Sequence, residues 1–520
     1  MKYLYKLLTA ATLLLSLSLM AKANIKMPLS GWKNYGVKTQ TTNGKLEINY
    51  SKNFKNTWPE ARLNFNQNLN LYNCISLKIK VSRPIQEGSI ILYCTGARSI
   101  LTLPKLCGMR EIPADKWLNI KWFYKKNPGW ITGPKSNSFN YEKAKAIGIG
   151  YGKSHLQKTG NLTIELKDIK ISNDFSVLRK ERKEFAKFRK KYRSKGIKGK
   201  KTVLWLCASR QISGGMADLK FLAEKDKLET IKKLPVNGVI VEVLRFPFRD
   251  QVVSAHKYPK TKFDEAIKLF KNIDMGHLTD NFLRIDIVSH RKDKNGKKIA
   301  LDWFDDSLWQ EAFFKLKETA RVCKEINFKG IVFDNESYRD DPYDYFNKYR
   351  KTGKSFEEYE KQARKRGQQF AEAIAAGFPK AKIIFLFGNW YISLPKNQDR
   401  YGLWPAFLDG MLKSQNELTF YDGFEKSYDY RIPKDFVKGY FINKNKGKKQ
   451  SSFPKTYAQK LNVAFACWLR PKKFSPAQFV NYVRGGLMHT DKYVWLYAER
   501  NVFTDKEMQK YLKELKKIKN

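Results

Sequence analysis

From position 202 to the C-terminus the chain alternates short apolar runs with longer stretches whose apolar residues recur every three or four positions. The apolar runs fall at 203–207, 238–243, 282–288, 330–333, 383–387, 418–421, 463–468 and 493–497. Runs that are apolar at every position, rather than at every second one, belong to strands buried on both faces, as in a parallel sheet covered by helices. The stretches at 218–234, 307–326, 356–376, 475–485 and 505–518 carry the helical period. Eight strands, each followed by a helix over roughly 320 residues, predict a (β/α)8 TIM barrel. An open doubly wound sheet is the alternative, but no glycine-rich phosphate loop follows the first run.

The pattern before position 176 is different. Short, β-branched, alternating runs at 45–50, 62–66, 75–81, 89–94, 117–123, 146–151 and 162–171 are separated by Gly, Pro and Asn. This spacing predicts an all-β sandwich at 24–175. Its closing segment, Gly160-Asn-Leu-Thr-Ile-Glu-Leu-Lys-Asp-Ile-Lys-Ile-Ser172, resembles the last strand of the galactose-binding-like jelly rolls often fused to carbohydrate enzymes. That resemblance implies a carbohydrate-binding domain, with Trp58, Trp117, Trp122 and Trp130 as candidates for stacking on sugar rings. Between the two halves, 176–201 reads as a basic linker helix, and 202–520 as the catalytic barrel.

The first 23 residues have a charged start, an apolar run from Leu7 to Met20 and the A-x-A sequence Ala21-Lys-Ala23. They read as a signal peptide cleaved after Ala23, which predicts a secreted or periplasmic protein with no membrane insertion afterwards. The six cysteines are too few for a disulfide scaffold; a Cys94–Cys107 bridge is compatible with the spacing but not demanded by it. With no C-x-x-C and no H-E-x-x-H, neither a metal nor another cofactor is expected. Lys and Arg number 100 against 50 Asp and Glu, a formal charge of +50. Such a field favours polyanionic partners. For an exported protein an acidic or sulfated polysaccharide fits better than nucleic acid. Lysine bias spread over solvated faces would give the same total.

A barrel places its chemistry at the carboxyl ends of its strands. Those ends offer Glu242 and Arg245, Asp286 and His290, Asp334, Glu336 and Tyr338, Asn389 and Trp390, Tyr421, Asp422 and Glu425, Trp468 and Arg470, and Trp495, Tyr497, Glu499 and Arg500. Carboxylates, aromatics and arginines at one rim are what cleavage of a glycosidic bond requires. Asp334 and Glu336 lie on the same side of the fourth strand end, where mutual repulsion raises one carboxyl's pKa. The expectation is Glu336 as general acid, Glu499 as second carboxylate and Asp334 as helper. Arg245, His290, Tyr338, Asn389, Trp390, Tyr421, Asp422, Trp468 and Trp495 are expected to bind an oligosaccharide or polysaccharide. Glu425 reads as solvated.

At these residues the chain resembles the (β/α)8 glycoside hydrolases. Asn335-Glu336 is similar to the Asn-Glu pair of their large retaining clan, which would make Glu336 the acid/base. That clan carries its nucleophile on the seventh strand, where this chain has no acid. Asp334-Asn-Glu336 also resembles the D-x-E of the chitinase and hyaluronidase families, and Tyr421-Asp422 and Trp495 match further chitinase positions. That likeness implies a substrate-assisted hydrolase of N-acetylated glycans, although Lys329 and Val332 stand where those families carry Asp. Two other readings stay open. One is a non-catalytic carbohydrate-binding barrel. The other is a lyase using Tyr338 or His290 as base and Arg245 as neutraliser.

Overall fold

The computed structural model describes residues 25–35, 37–51, 59–64, 74–86, 90–95, 99–102, 111–122, 130–131, 146–151, 160–172, 176–193, 202–206, 218–243, 252–253, 258–287, 301–336 and 341–518. The chain divides into two compact units, Met1–Lys183 and Glu184–Asn520.

The first unit is a β-sandwich. In one sheet Leu162–Ser172 lies between Lys45–Tyr50 and Cys74–Val81, with Leu118–Trp122 and Lys38–Thr42 outside them. The other sheet is built around Ala146–Tyr151, which pairs with Glu60–Asn64 and Ile90–Thr95. All these pairs are antiparallel, and their alternation sends Leu46, Ile48, Leu77, Ile79, Ile149, Ile164 and Leu166 into one shared core. Tyr50 ties the sheets together: its hydroxyl donates to the Ile149 carbonyl at 2.9 Å. Every longer run expected here is a strand. The short pieces Ile25–Lys26, Trp32–Tyr35, Ile85–Gln86, Ser99–Thr102, Glu111–Ile112 and Trp130–Ile131 were not visible as periodic runs. Trp117 is half-buried, with the Lys167 ammonium 4.0 Å from its ring centroid. Trp58 and Cys107, and the side chains of Cys94, Trp122 and Trp130, lie outside the described residues.

The unit boundary falls inside the helix Ser176–Arg193. Its second half is not a free linker. Phe185 and Phe188 meet Phe441, and Tyr192 packs at a tilt against Tyr440 and His489.

The second unit is organised by one parallel sheet, near-barrel in form. Its strands are β1 (Thr202–Leu206), β2 (Gly238–Glu242), β3 (Phe282–Asp286), β4 (Gly330–Asp334), β5 (Lys382–Phe385), β6 (Thr419–Asp422), β7 (Leu461–Val463), β8 (Phe465–Leu469) and β9 (Tyr493–Ala498). Hydrogen bonding runs β7-β6-β5-β4-β3-β2-β1-β9-β8. The two edge strands, β7 and β8, are separated in sequence by Ala464 alone. One expected strand is therefore two, with Ala464 donating to the Asp422 carbonyl at 2.8 Å where the chain changes partner.

On β4 the alternation of faces is explicit. Phe333 turns toward the helices, its ring 4.9 Å from Phe370 and 6.0 Å from Trp404. Asp334 therefore turns to the opposite face. Gly330 opens the strand at φ 151°, where an added Cβ would lie 2.0 Å from the Lys382 carbonyl oxygen, so only glycine lets β5 approach this closely. No described helix is long and apolar enough to cross a membrane.

Candidate active site

The carboxyl ends of β2, β3 and β4 present a charge group in which one arginine serves two carboxylates. Register aligns Glu242 with Arg284 and Asp286 with Asp334. Arg284 reaches both flanking acids: Nη2 lies 2.5 Å from Asp334 and Nη1 3.3 Å from Glu242. Both carboxylates are nearly buried, so the guanidinium supplies the charge that water cannot. Asp334 also accepts from the Glu336 backbone N–H at 3.1 Å, which fixes the turn leaving β4. Asp334 is thus the ion-pair partner of Arg284. Asn335 does turn aside. It is fully buried, its amide donating to the Phe387 carbonyl and its carbonyl accepting from Leu386 and Phe387.

Glu336 meets Glu425, three residues beyond β6, and the two side chains share a hydrogen bond. Burial pushes the Glu425 carboxyl well above the ordinary carboxylate range, and the nearby charges of Glu336 and Asp334 push the same way. The Tyr428 hydroxyl, donating to Glu425, opposes the shift. Glu425 is thus half-buried against Glu336 rather than solvated. Glu499 is exposed beyond the end of β9, and its neighbour Arg500 pairs with Asp505 and Glu507 at the surface.

Aromatic rings border the pair. Tyr428 lies 5.2 Å from half-buried Trp468 and 5.6 Å from Trp495, and Tyr497 lies 5.4 Å from Trp468. The Arg470 guanidinium sits 3.1 Å over the Trp468 ring centroid. Tyr391 is 47% exposed; burial raises its pKa, and the nearby charges of Asp399, Glu336 and Glu425 push the same way.

The remaining expected ligand-binding residues fall in two groups. Arg245, His290 and Tyr338 lie outside the described residues. Asn389, Trp390, Tyr421, Asp422 and Trp495, expected to bind the ligand, are buried. Tyr421 packs 5.0 Å from Tyr493 at the start of β9, away from the rim. Trp390 donates to Asp422 at 3.3 Å, and Trp495 donates to the Gly423 carbonyl at 2.9 Å. Asp422 has no exposure, and burial raises its pKa to about 7. Among the described residues no group of three or more His, Cys, Asp or Glu side chains is arranged to hold a metal ion.

No family model matches the sequence, and no curated protein matches it. Among solved structures, the agarase AgWH50C aligns over 95% of this chain and 98% of its own, at 10% identity and a TM-score of 0.28. A family 11 carbohydrate-binding module from Clostridium thermocellum, solved with a β-1,3-1,4-mixed-linked tetrasaccharide, covers 29% of this chain and 95% of its own at 13% identity and a TM-score of 0.22. The family 29 module CBM29_1 from Piromyces equi covers 30% of this chain and 88% of its own at 14% identity and a TM-score of 0.18. At these scores none of them assigns a family or an activity to this chain.

Proposed function

We propose that the protein is an exported glycoside hydrolase that cleaves a polysaccharide with Glu336 and Glu425 as its two working carboxyls. The observation that carries this reading is their shared hydrogen bond at the rim of a parallel sheet. Two acids in contact hold one proton between them, and glycosidic cleavage needs one neutral and one ionised carboxyl. Burial favours the neutral form of Glu425, which gives it the acid/base role and leaves Glu336 as nucleophile. This exchanges the role expected of Glu336 from sequence. Contact between the carboxyls is shorter than the ~5–5.5 Å of retaining enzymes and far shorter than the ~6.5–9.5 Å of inverting ones, so the pair must part to admit a sugar, and the smaller opening gives a retaining enzyme. Tyr391, Trp468 and Tyr497 would face the sugar rings.

The sheet is read as a closed eight-stranded (β/α)8 barrel, because its two edge strands are consecutive segments either side of Ala464. The domains are read as signal peptide 1–23, sandwich 24–175 and barrel 202–520, joined through the helix Ser176–Arg193, whose second half belongs to the barrel unit. The sandwich is proposed to bind carbohydrate. The net charge and the Arg470 guanidinium over Trp468 favour an anionic or sulfated polymer.

Release of reducing ends from a panel of neutral and sulfated polysaccharides tests the reading. The wild type should cleave at least one. Glu336→Gln and Glu425→Gln should each lose on the order of 10²-fold or more on that polymer. Cleavage that survives both substitutions sinks the assignment. An aryl glycoside with a good leaving group separates the roles: it should rescue the variant lacking the acid, Glu425→Gln, and not Glu336→Gln.

A further inference from the structure

Six non-glycine residues among those described have positive φ. Five are Asn or Asp, whose short polar side chains tolerate this region. The sixth is Phe424, at φ 41° and ψ 60°, immediately before Glu425. A bulky aromatic there is strained, and such strain persists only where the surroundings over-determine it.

The surroundings do so here. Asp422 Oδ1 accepts from the Phe424 backbone N–H at 2.9 Å, closing an Asx-type turn across Gly423. The same oxygen accepts from Trp390 Nε1, and the Trp390 ring lies 4.6 Å from that of Phe424. The Phe424 carbonyl accepts from the Ser427 hydroxyl at 2.7 Å. On either side, Gly423 N–H donates to Phe385 and Glu425 N–H to Leu386, at 2.6 and 3.2 Å. Asp422 is itself clamped: a Cβ on residue 388 would fall 2.0 Å from its Oδ2, so glycine there is required for the carboxyl to fit. Asp422, Phe424, Ser427 and Trp390 are all buried.

We propose that Asp422 is a positioning residue that holds Phe424 in its left-handed conformation and thereby aims the Glu425 carboxyl at Glu336. A relaxed, right-handed Phe424 would redirect the following residue and part the two acids. The inference rests on the reading of Glu336 and Glu425 as the working pair, but its test does not depend on a substrate alone.

The full-length wild type, Asp422→Ala and Asp422→Asn are compared in two ways. The first is infrared titration of the shared-proton carboxyl, identified by its loss in Glu425→Gln. The second is kcat and KM on whichever polysaccharide the panel finds. Asp422→Ala should abolish the shared-proton signal and lower kcat 30- to 100-fold with KM within about threefold, the scale of a misplacement near 1 Å. Asp422→Asn keeps the acceptor for Phe424 and Trp390 and should retain both signal and kcat within about threefold. If Asp422→Ala does not fold, Asp422→Ser, which can close the same turn through its hydroxyl, takes over. It should then retain the shared-proton signal, and loss of that signal from folded Asp422→Ser and Asp422→Asn alike overturns the proposal. A wild-type signal and kcat in folded Asp422→Ala also overturn it. If no polysaccharide is cleaved by the wild type, the functional reading fails, while the infrared comparison still decides the role of Asp422.

Discussion

Replacing Asp422 by Asn should change how the protein's stability depends on pH. Asp422 has no solvent exposure, and its pKa rises from an ordinary 3.8 to about 7, chiefly through burial. The sign follows from proton counting. Below pH ~4 the carboxyl is neutral in both the folded and the unfolded chain, and burial carries no charge penalty. Between ~4 and ~7 the unfolded chain has lost the proton and the folded chain keeps it, so stability falls as pH rises. Each pH unit across that window is worth ~1.4 kcal/mol, or ~4 kcal/mol over all of it. The amide in Asp422→Asn cannot ionise and escapes the penalty. Urea unfolding followed by tryptophan fluorescence, at several pH values from 4.5 to 8, gives the difference between variant and wild type at each. Groups common to both proteins cancel. The difference should move in favour of Asp422→Asn by ~3 kcal/mol across that range. A difference constant to within ~0.5 kcal/mol would refute the idea that Asp422 is neutral and buried in the folded state.

Other outcomes are expected from the same geometry. Glu499→Gln should leave turnover within about twofold of wild type, whereas loss on the 10²-fold scale would restore the residue to the working pair. Arg284→Met leaves Glu242 and Asp334 buried without their cation and should cost ~3–5 kcal/mol in urea unfolding. Adding Glu242→Gln and Asp334→Asn should recover most of that loss, and a variant within ~1 kcal/mol of wild type would remove Arg284 from this role. Because the Glu425 carboxyl is raised, kcat/KM should persist through neutral pH and fall on the alkaline side, as the acid loses its proton; a decline that begins between pH 4 and 5 contradicts the assignment.

The strands of the parallel sheet were legible because burial on both faces leaves an unbroken apolar run, and all eight runs lie on observed strands. The break at Ala464 was not, since one residue that switches hydrogen-bonding partners leaves the hydropathy pattern unchanged. Glu336 could be found as an acid just beyond a buried strand. Glu425 could not: Asp422-Gly-Phe-Glu425 reads as an ordinary polar exit, and nothing in the sequence announces that Phe424 takes a left-handed conformation. Trp390 and Tyr391 make the same point. Trp390 was visible as a strand-end aromatic, but that its neighbour Tyr391 is the one facing outward is decided by the short 3-10 turn Asn389–Tyr391. The most legible acid after Glu336 was Glu499, at the end of a true strand. Its position one step past Ala498, in the exposed turn, is what carries it away from the pair.

The pairing of β1 with β9 has a consequence for how the chain is made. Thr202 hydrogen-bonds in register with Tyr493, about 290 residues later. At synthesis rates of ~5–20 residues per second, β1 waits roughly 15–60 s for that neighbour to exist. Until then one side of an apolar strand stands open to pairing with other chains. The first unit's strands pair within Met1–Lys183 and need no such wait. Aggregation of truncated or slowly translated chains should therefore begin at β1, and shortening the chain before Tyr493 should expose it permanently.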